Sequence, residues 1–223
     1  MDAAMKSIER HALRIATHEA TLEADLALPA AARGIVLFAH GSGSSRFSPR
    51  NRGVAQQLNT AHLATLLVDL LTADEEAIDE RTRQLRFDIR LLADRLVDLS
   101  DWLGADERTA RLNTGFFGAS TGAGAALAAA ARRPETVRAV VSRGGRPDLA
   151  GPALAQVRAP TLLIVGGNDG AVIELNRQAL AMLRGEKQLA IVPGATHLFA
   201  EAGALDTVAS LACEWFLRHL GEA

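Results

Sequence analysis

Short runs of uninterrupted apolar residues recur along this chain, each followed by a small-residue loop and a helical stretch. The first strong run is Ile35-Val36-Leu37-Phe38-Ala39, and others lie at 64–71, 111–117, 137–142, 161–166 and 188–192. An apolar run without alternation is what a parallel strand needs when helices cover both of its faces. Helical periodicity fills the intervals near 50–62, 78–103, 121–132, 172–183 and 205–220. Within 78–103, Leu85, Ile89, Leu92, Leu96, Leu99 and Leu103 recur in steps of four and three, laying one apolar stripe along a helix. Arg86, Asp88, Asp94, Arg95 and Asp98 then read as its solvated face. Strand and helix in alternation imply right-handed crossovers and a doubly wound sheet. Two further strands precede that sheet, at 12–16 and at 20–28, where Pro29 stops the second. The expected fold is α/β, three layers with a mostly parallel twisted sheet, in a single domain over 1–223.

Composition agrees with that class and narrows the function. A chain of 223 residues with 48% hydrophobic and 22% charged side chains can bury a core without disulfide or metal. A net charge of −2 argues against general binding to nucleic acid or an anionic membrane. The single Cys213 excludes an intramolecular disulfide and a Cys-rich metal site. Charges between Met1 and His11 occupy the place where a leader peptide needs an apolar core. No run reaches the roughly 18 apolar residues of a membrane span. The expected location is the cytoplasm.

In doubly wound sheets, functional groups gather in the loops at the carboxyl ends of the strands. One such loop is Gly118-Ala119-Ser120-Thr121-Gly122, which follows the run Leu112 to Phe117 and opens a helix at Ala123-Gly124-Ala125. This is G-x-S-x-G in its proper setting of strand, sharp turn and helix. A serine on so tight a turn is strained, and glycines on both sides remove the collisions that side chains would make. Its oxygen then stands over a helix N-terminus, which favours developing negative charge. The competing reading is a Gly/Ser turn with Ser120 as an ordinary helix cap.

Two later loops supply partners. Thr161 to Val165 runs into Gly166-Gly167-Asn168-Asp169-Gly170, and Leu189 to Val192 runs into Pro193-Gly194-Ala195-Thr196-His197. Asn-Asp-Gly is also a turn composition, and His197 could be a packed loop residue. The order Ser120, Asp169, His197, each after a strand, is that of a nucleophile, an orienting acid and a base. His40-Gly41-Ser42-Gly43 follows the first strong strand, so the backbone N–H groups of Ser42 and Thr121 are the expected oxyanion donors. A dinucleotide site would need a third glycine where Arg46 stands, and it leaves the other three residues unexplained.

The elbow, the His-Gly loop and the late Asp and His resemble the α/β-hydrolases, and the small size resembles the dienelactone-hydrolase branch. Leu70-Leu71-Thr72, Leu85-Arg86-Phe87-Asp88-Ile89, the elbow and Ser142-Arg143-Gly144-Gly145-Arg146-Pro147-Asp148-Leu149-Ala150 are similar to bacterial hydrolase domains sometimes fused to a phosphoribosyltransferase. The resemblance covers the chain from about residue 12 and implies an α/β-hydrolase fold without a cap domain. Dienelactone hydrolase itself uses a Cys nucleophile; Ser120 at the elbow departs from that and favours general ester or thioester hydrolysis over enol-lactone hydrolysis.

Arg143 and Arg146 flank the loop after the next strand, and Arg46, Arg50 and Arg52 follow the oxyanion loop. Such guanidinium groups could hold a substrate carboxylate or phosphate, or simply be surface charge with Arg143 braced by Asp148. The acidic stretch Asp74 to Glu80 suits a helix N-terminus better than a metal, and no metal-ligand spacing is present. His40 reads as a shaper of its loop, and Cys213 beside Trp215 and Phe216 as a core residue. The expected partner is a small-molecule ester or thioester, with no nucleic acid, membrane, cofactor or metal; oligomeric state is left open. A non-catalytic scaffold that binds a ligand or protein partner is the alternative.

Overall fold

The computed structural model describes residues 8–221; the charged opening at 1–7 lies outside them, as do 222–223. Eight strands form one sheet: β1 Ile8–Ala16, β2 Thr21–Pro29, β3 Ile35–Ala39, β4 Ala64–Val68, β5 Thr114–Ala119, β6 Val137–Arg143, β7 Thr161–Gly166 and β8 Lys187–Val192. Their order is β1-β2-β4-β3-β5-β6-β7-β8, with β2 antiparallel to both its neighbours and every other pairing parallel. Among the described residues, six α-helices complete the layers: α1 Pro49–Thr60, α2 Ala73–Thr82, α3 Ile89–Ala105, α4 Thr121–Arg132, α5 Gly170–Met182 and α6 Ala204–Leu220. A 3₁₀ segment at Pro147–Gln156 links β6 to β7. This is an α/β-hydrolase fold, with no separate cap domain among the described residues.

Adjacent strand residues point to opposite faces, so both cores are visible in single strands. Leu37, Phe116, Val140 and Leu163 pack on one side with Leu92, Leu96, Leu99 and Leu127 of α3 and α4. Val36, Phe38, Phe117, Val141 and Ile164 pack on the other with Val54, Leu58, Val208 and Phe216 of α1 and α6. The sandwiched strands β3 to β7 thus carry apolar residues at successive positions. Among the described residues, no helix is long and apolar enough to cross a membrane.

One expected helix is broken. Residues 78–103 divide into the end of α2, a 3₁₀ turn at Leu85–Phe87, and α3. Arg83 closes α2 in the left-handed region at φ 55°, and the Asp88 carboxylate accepts from the Leu91 N–H at 3.0 Å to start α3. Local capping overrides a continuous apolar stripe because an unsatisfied helix end is expensive to bury. The expected solvated face is corrected as well. Of that face, Arg95 is only 2% exposed and Arg86 turns inward to bind Asp79, a member of the acidic stretch 74–80 that is fully buried, while Asp88 stays exposed. Arg95 donates to the Leu70 carbonyl and, at 2.8 and 2.6 Å, to both carboxylate oxygens of Glu75.

Glu75 also forms a capping box with Thr72 at the start of α2. Its bond from Arg95 holds its carboxyl below the usual carboxylate range. Glu75→Gln leaves the buried Arg95 charge without its carboxylate, and because Glu75 itself is partly exposed the cost is on the order of 1–3 kcal/mol, below that of a fully buried pair. The folded-state pKa is depressed, so this stabilisation is present at neutral pH and is lost as pH falls through and below the ordinary carboxylate range. Urea unfolding at neutral and acid pH is expected to show a large deficit for Glu75→Gln at neutral pH that narrows in acid.

Candidate active site

The turn between β5 and α4 is built from close backbone contact. A β-carbon added at Gly122 would lie 2.3 Å from the Ala39 carbonyl oxygen and 2.4 Å from that of His40. One added at Gly118 would lie 2.4 Å from the Ala123 Cα. Both glycines are therefore sterically required, and together they press the start of α4 onto the end of β3. Ser120, caught between them, adopts φ 50° and ψ −122°. A positive φ is strained for any residue with a side chain. Ser120 occupies the N-cap position of α4, yet its hydroxyl makes no capping bond.

The loop after β3 lies against this turn: a β-carbon at Gly41 would be 3.0 Å from the Ser120 Cβ. Thr121 is the first residue of α4, so its N–H has no acceptor within the helix. His40 sits behind the loop, its Nδ1 paired with the Gly41 carbonyl at 2.9 Å. Its Nε2 accepts the Leu70 N–H at 3.0 Å, so Nδ1 is the protonated nitrogen. Burial pushes the His40 pKa down, which keeps the ring neutral in that role. It joins the ends of β3 and β4, as a shaper of the loop should.

On the opposite side, Asp169 and His197 meet. The Asp169 carboxylate lies 2.7 Å from His197 Nδ1 and gives α5 no side-chain cap although it stands at the N-cap position. Asn168 fixes the two loops together, its N–H bonding the Ala195 carbonyl at 2.9 Å and its side chain the Gly194 carbonyl at 2.9 Å. Gly144 connects this pair to the elbow: a β-carbon there would be 3.6 Å from His197 Cε1, and the carbonyl of its neighbour Arg143 accepts the Ser120 N–H at 3.3 Å. The bond between Asp169 and His197 is formed; one between His197 and Ser120 is not. Serine, acid and histidine thus share one edge of the sheet.

A profile of known sequences decides the family. The model of the dienelactone hydrolase family matches residues 22–220. The chain belongs to the dienelactone hydrolase family. It is 61% identical to the dienelactone hydrolase of Anabaena variabilis, whose crystal structure superposes with a TM-score of 0.94 over 96% of this chain and 99% of that one. Est1E of Butyrivibrio proteoclasticus, at 16% identity and a TM-score of 0.77 over 93% of this chain and 98% of that one, shares the fold. Two Mycobacterium tuberculosis proteins, provisionally named phosphoribosyl transferases, are 62% identical over 195 residues, which is 87% of this chain. The chain spans only 43% of the length of those relatives.

The arginines around this end of the sheet separate into two kinds. Arg146 donates twice to Asp148, at 2.8 and 2.7 Å, so the brace anticipated for Arg143 belongs to Arg146. Arg46 pairs with Asp69, and Arg52 with Asp25 at 3.0 Å. Arg143 and Arg50 have no carboxylate partner among the described residues. Asp74 and Glu76 border a separate cleft of about 660 Å³ that His40, Ser44 and Arg46 also line. Neither Ser120 nor His197 lines it. Among the described residues, no group of three His, Cys, Asp or Glu could hold a metal ion.

Reading from sequence missed Asn176 of α5. Its buried amide donates to the Gly145 carbonyl at 3.0 Å and so holds the loop after β6. An asparagine inside an otherwise apolar helical face was the available signal. Burial raises the Cys213 thiol pKa to about 11, which suits a packing role and not a nucleophile.

Because an added β-carbon at Gly122 would collide with the Ala39 and His40 carbonyl oxygens, Gly122→Ala is expected to lower the melting temperature sharply or prevent soluble expression. Gly104 of α3 has no atom within 4 Å of an added β-carbon, so Gly104→Ala should gain about 0.5–1 kcal/mol from helix propensity alone. Thermal unfolding of the two variants beside the parent protein checks both signs.

Proposed function

We propose that the protein hydrolyses carboxylic esters or thioesters through an acyl-Ser120 intermediate. The observation that carries this reading is Ser120 itself: a strained residue at φ 50° whose hydroxyl is left out of the helix cap, at the same edge as a paired Asp169 and His197. Strain of this kind persists where the surroundings enforce it and is a reason to look for function.

In the proposed reaction His197 Nε2 removes the Ser120 Oγ proton as Oγ attacks the substrate carbonyl carbon. The carbonyl oxygen becomes an oxyanion facing the N–H groups of Ser42 and Thr121. Asp169 holds the imidazole tautomer at Nδ1 and stabilises the imidazolium. The tetrahedral intermediate collapses, the bond to the alkoxide or thiolate breaks, and His197 returns the proton to that leaving group. Water, deprotonated by the same nitrogen, then releases the acid and restores Ser120. Rotation of the Ser120 or His197 side chain closes the missing bond, as catalytic hydrogen bonds often tighten only with substrate bound.

A fluorophosphonate probe should label Ser120 in the native protein, with the adduct located by peptide mass spectrometry. Ser120→Ala and His197→Ala are expected to abolish labelling. Asp169→Asn should reduce turnover of p-nitrophenyl esters by on the order of 10⁴-fold, the scale seen when the orienting acid of such a triad is neutralised. Labelling that is independent of His197 would remove the triad from consideration and favour a binding scaffold. A panel of p-nitrophenyl and CoA esters then separates ester from thioester preference.

A further inference from the structure

A buried side-chain amide is unfavourable unless its polar atoms are bonded. Asn176 of α5 is 0% exposed. Its Nδ2 gives both protons to carbonyls, that of Val172 one turn back at 2.8 Å and that of Gly145 in the loop after β6 at 3.0 Å. Only an NH2 group can serve two acceptors in this way, so the two bonds also fix which end of the amide is which. Its Oδ1 is left buried with no hydrogen-bond partner. A leucine would fill the same space without that cost, so packing does not account for the residue. What the amide does is hold the Gly145 carbonyl.

That carbonyl is one end of a rigid plane. The Gly145 C=O and the Arg146 N–H belong to one trans peptide unit and point in opposite directions. The Arg146 N–H donates to the Ser120 carbonyl at 3.0 Å. A second plane follows, because the Ser120 C=O shares its peptide unit with the Thr121 N–H, the first of α4, which has no acceptor inside the helix. One line therefore runs from Asn176 Nδ2, through the 145–146 and 120–121 peptide units, to the N–H that faces the carbonyl oxygen in the proposed reaction. Close packing keeps the first plane in place. A β-carbon at Gly145 would lie 1.9 Å from Ser142 Oγ and 2.6 Å from the Ala123 Cβ, and one at Gly124 would lie 2.9 Å from the Arg146 carbonyl oxygen. Successive hydrogen bonds also polarise one another, so a donor at one end of the line strengthens the donor at the other.

The helix that carries Asn176 also carries the acid. Asp169 is the N-cap of α5, seven residues before Asn176, which is about two turns along the same side of the helix. Asp169 reaches His197 at 2.7 Å, and Asn176 reaches the loop that holds Ser120. We propose that Asn176 is a positioning residue for the Thr121 N–H. It aims that donor at the oxyanion through two peptide planes and sets it in register with the acid on the same helix. The inference rests on the ester-hydrolase reading and deepens it, because it names what aligns the oxyanion donor.

Two substitutions on the full chain test this. Asn176→Leu keeps the volume and removes the donors; Asn176→Asp keeps the shape and turns an acceptor toward two carbonyls. In either folded variant kcat for p-nitrophenyl esters is expected to fall on the order of 10- to 100-fold, because a donor misplaced by a fraction of its bond length loses much of its effect. KM should stay within about twofold, since the oxyanion exists only after attack. The midpoint of the pH–rate profile should not move, because the Asp169–His197 pair is untouched. Leu183→Ala, in the core at the far end of α5, should lower the melting temperature and leave kcat of the folded protein within about twofold.

Amide hydrogen exchange, read by NMR, needs no turnover. The Arg146 N–H should be protected in the parent protein and exchange about tenfold faster in Asn176→Leu than in Leu183→Ala. Unchanged kcat in a folded Asn176 variant, or an equal loss in Leu183→Ala, overturns the proposal. So does an Arg146 amide that exchanges in the parent as freely as an exposed loop, a result available even if no Asn176 variant folds. A parent protein that neither turns over esters nor takes the fluorophosphonate probe would instead sink the reaction, with the exchange rates still reporting the tie from Asn176 to the elbow, so the two failures are distinguishable.

Discussion

The carboxyl edge of this sheet depends on one backbone contact. The first turn of α4 lies so close to the end of β3 that only hydrogen fits at Gly122, where a β-carbon would lie 2.3 Å from the Ala39 oxygen. That contact, with its counterpart at Gly118, leaves Ser120 no relaxed conformation and turns it out of the helix cap. It also presses the Gly41-Ser42 loop against the elbow that carries Thr121, so loops from two different strands meet at one spot. Close packing and hydrogen bonding act together here: the Ser120 N–H donates to the Arg143 carbonyl, and the Ser120 carbonyl accepts the N–H groups of Ala123 and Arg146.

Polar ties then align the remaining loops. His40 joins β3 to β4, Asn168 joins β7 to β8, and Asn176 holds the loop after β6. Each is a side chain bonded to backbone of another element, which costs less in conformational freedom than two long charged groups held together. Asp169 belongs to the same pattern with a different outcome. It leaves a helix end uncapped and meets His197 instead, so its carboxylate serves the neighbouring loop. Arg143 differs from these bonded groups: it is a buried cation whose Nη1 has no hydrogen-bond partner, on the residue whose carbonyl accepts the N–H of the strained Ser120. A protein that tolerates two such features at one edge has positioned them at the expense of stability.

Much of the architecture is legible in the residues. The buried strands β3 to β7 and α1, α4, α5 and α6 fall within a few residues of the apolar runs and periodic stretches, because a parallel strand covered on both faces leaves an unmistakable run; the run at 188–192 is a strand too, but β8 is a largely exposed edge strand. The interval 78–103 reads as one helix for a physical reason. Spacing by three and four identifies the buried stripe, but it does not register a cap at Asp88 or a left-handed turn at Arg83. Arg95 is next to Leu92, Leu96 and Leu99 on the helix surface, which is a local signal of its burial. Its partner Glu75 lies 20 residues away, across a turn, and spacing says nothing about such pairs.

The sequence by itself determined the layered α/β class, the glycines of the elbow and the order of serine, acid and histidine along the chain. Those features are local: hydrophobic period, steric need for glycine, and strand-to-loop succession. Only the tertiary structure decided which arginine is braced and which is left unpaired. Arg146 lies two residues from Asp148 and takes it, while Arg143, of the same charge and only three residues earlier, projects into the other layer. The alternation of β6 sends Arg143 inward at the strand's last residue, whereas Arg146 lies beyond the strand and reaches Asp148 locally; burial, a property of the packed molecule, separates them.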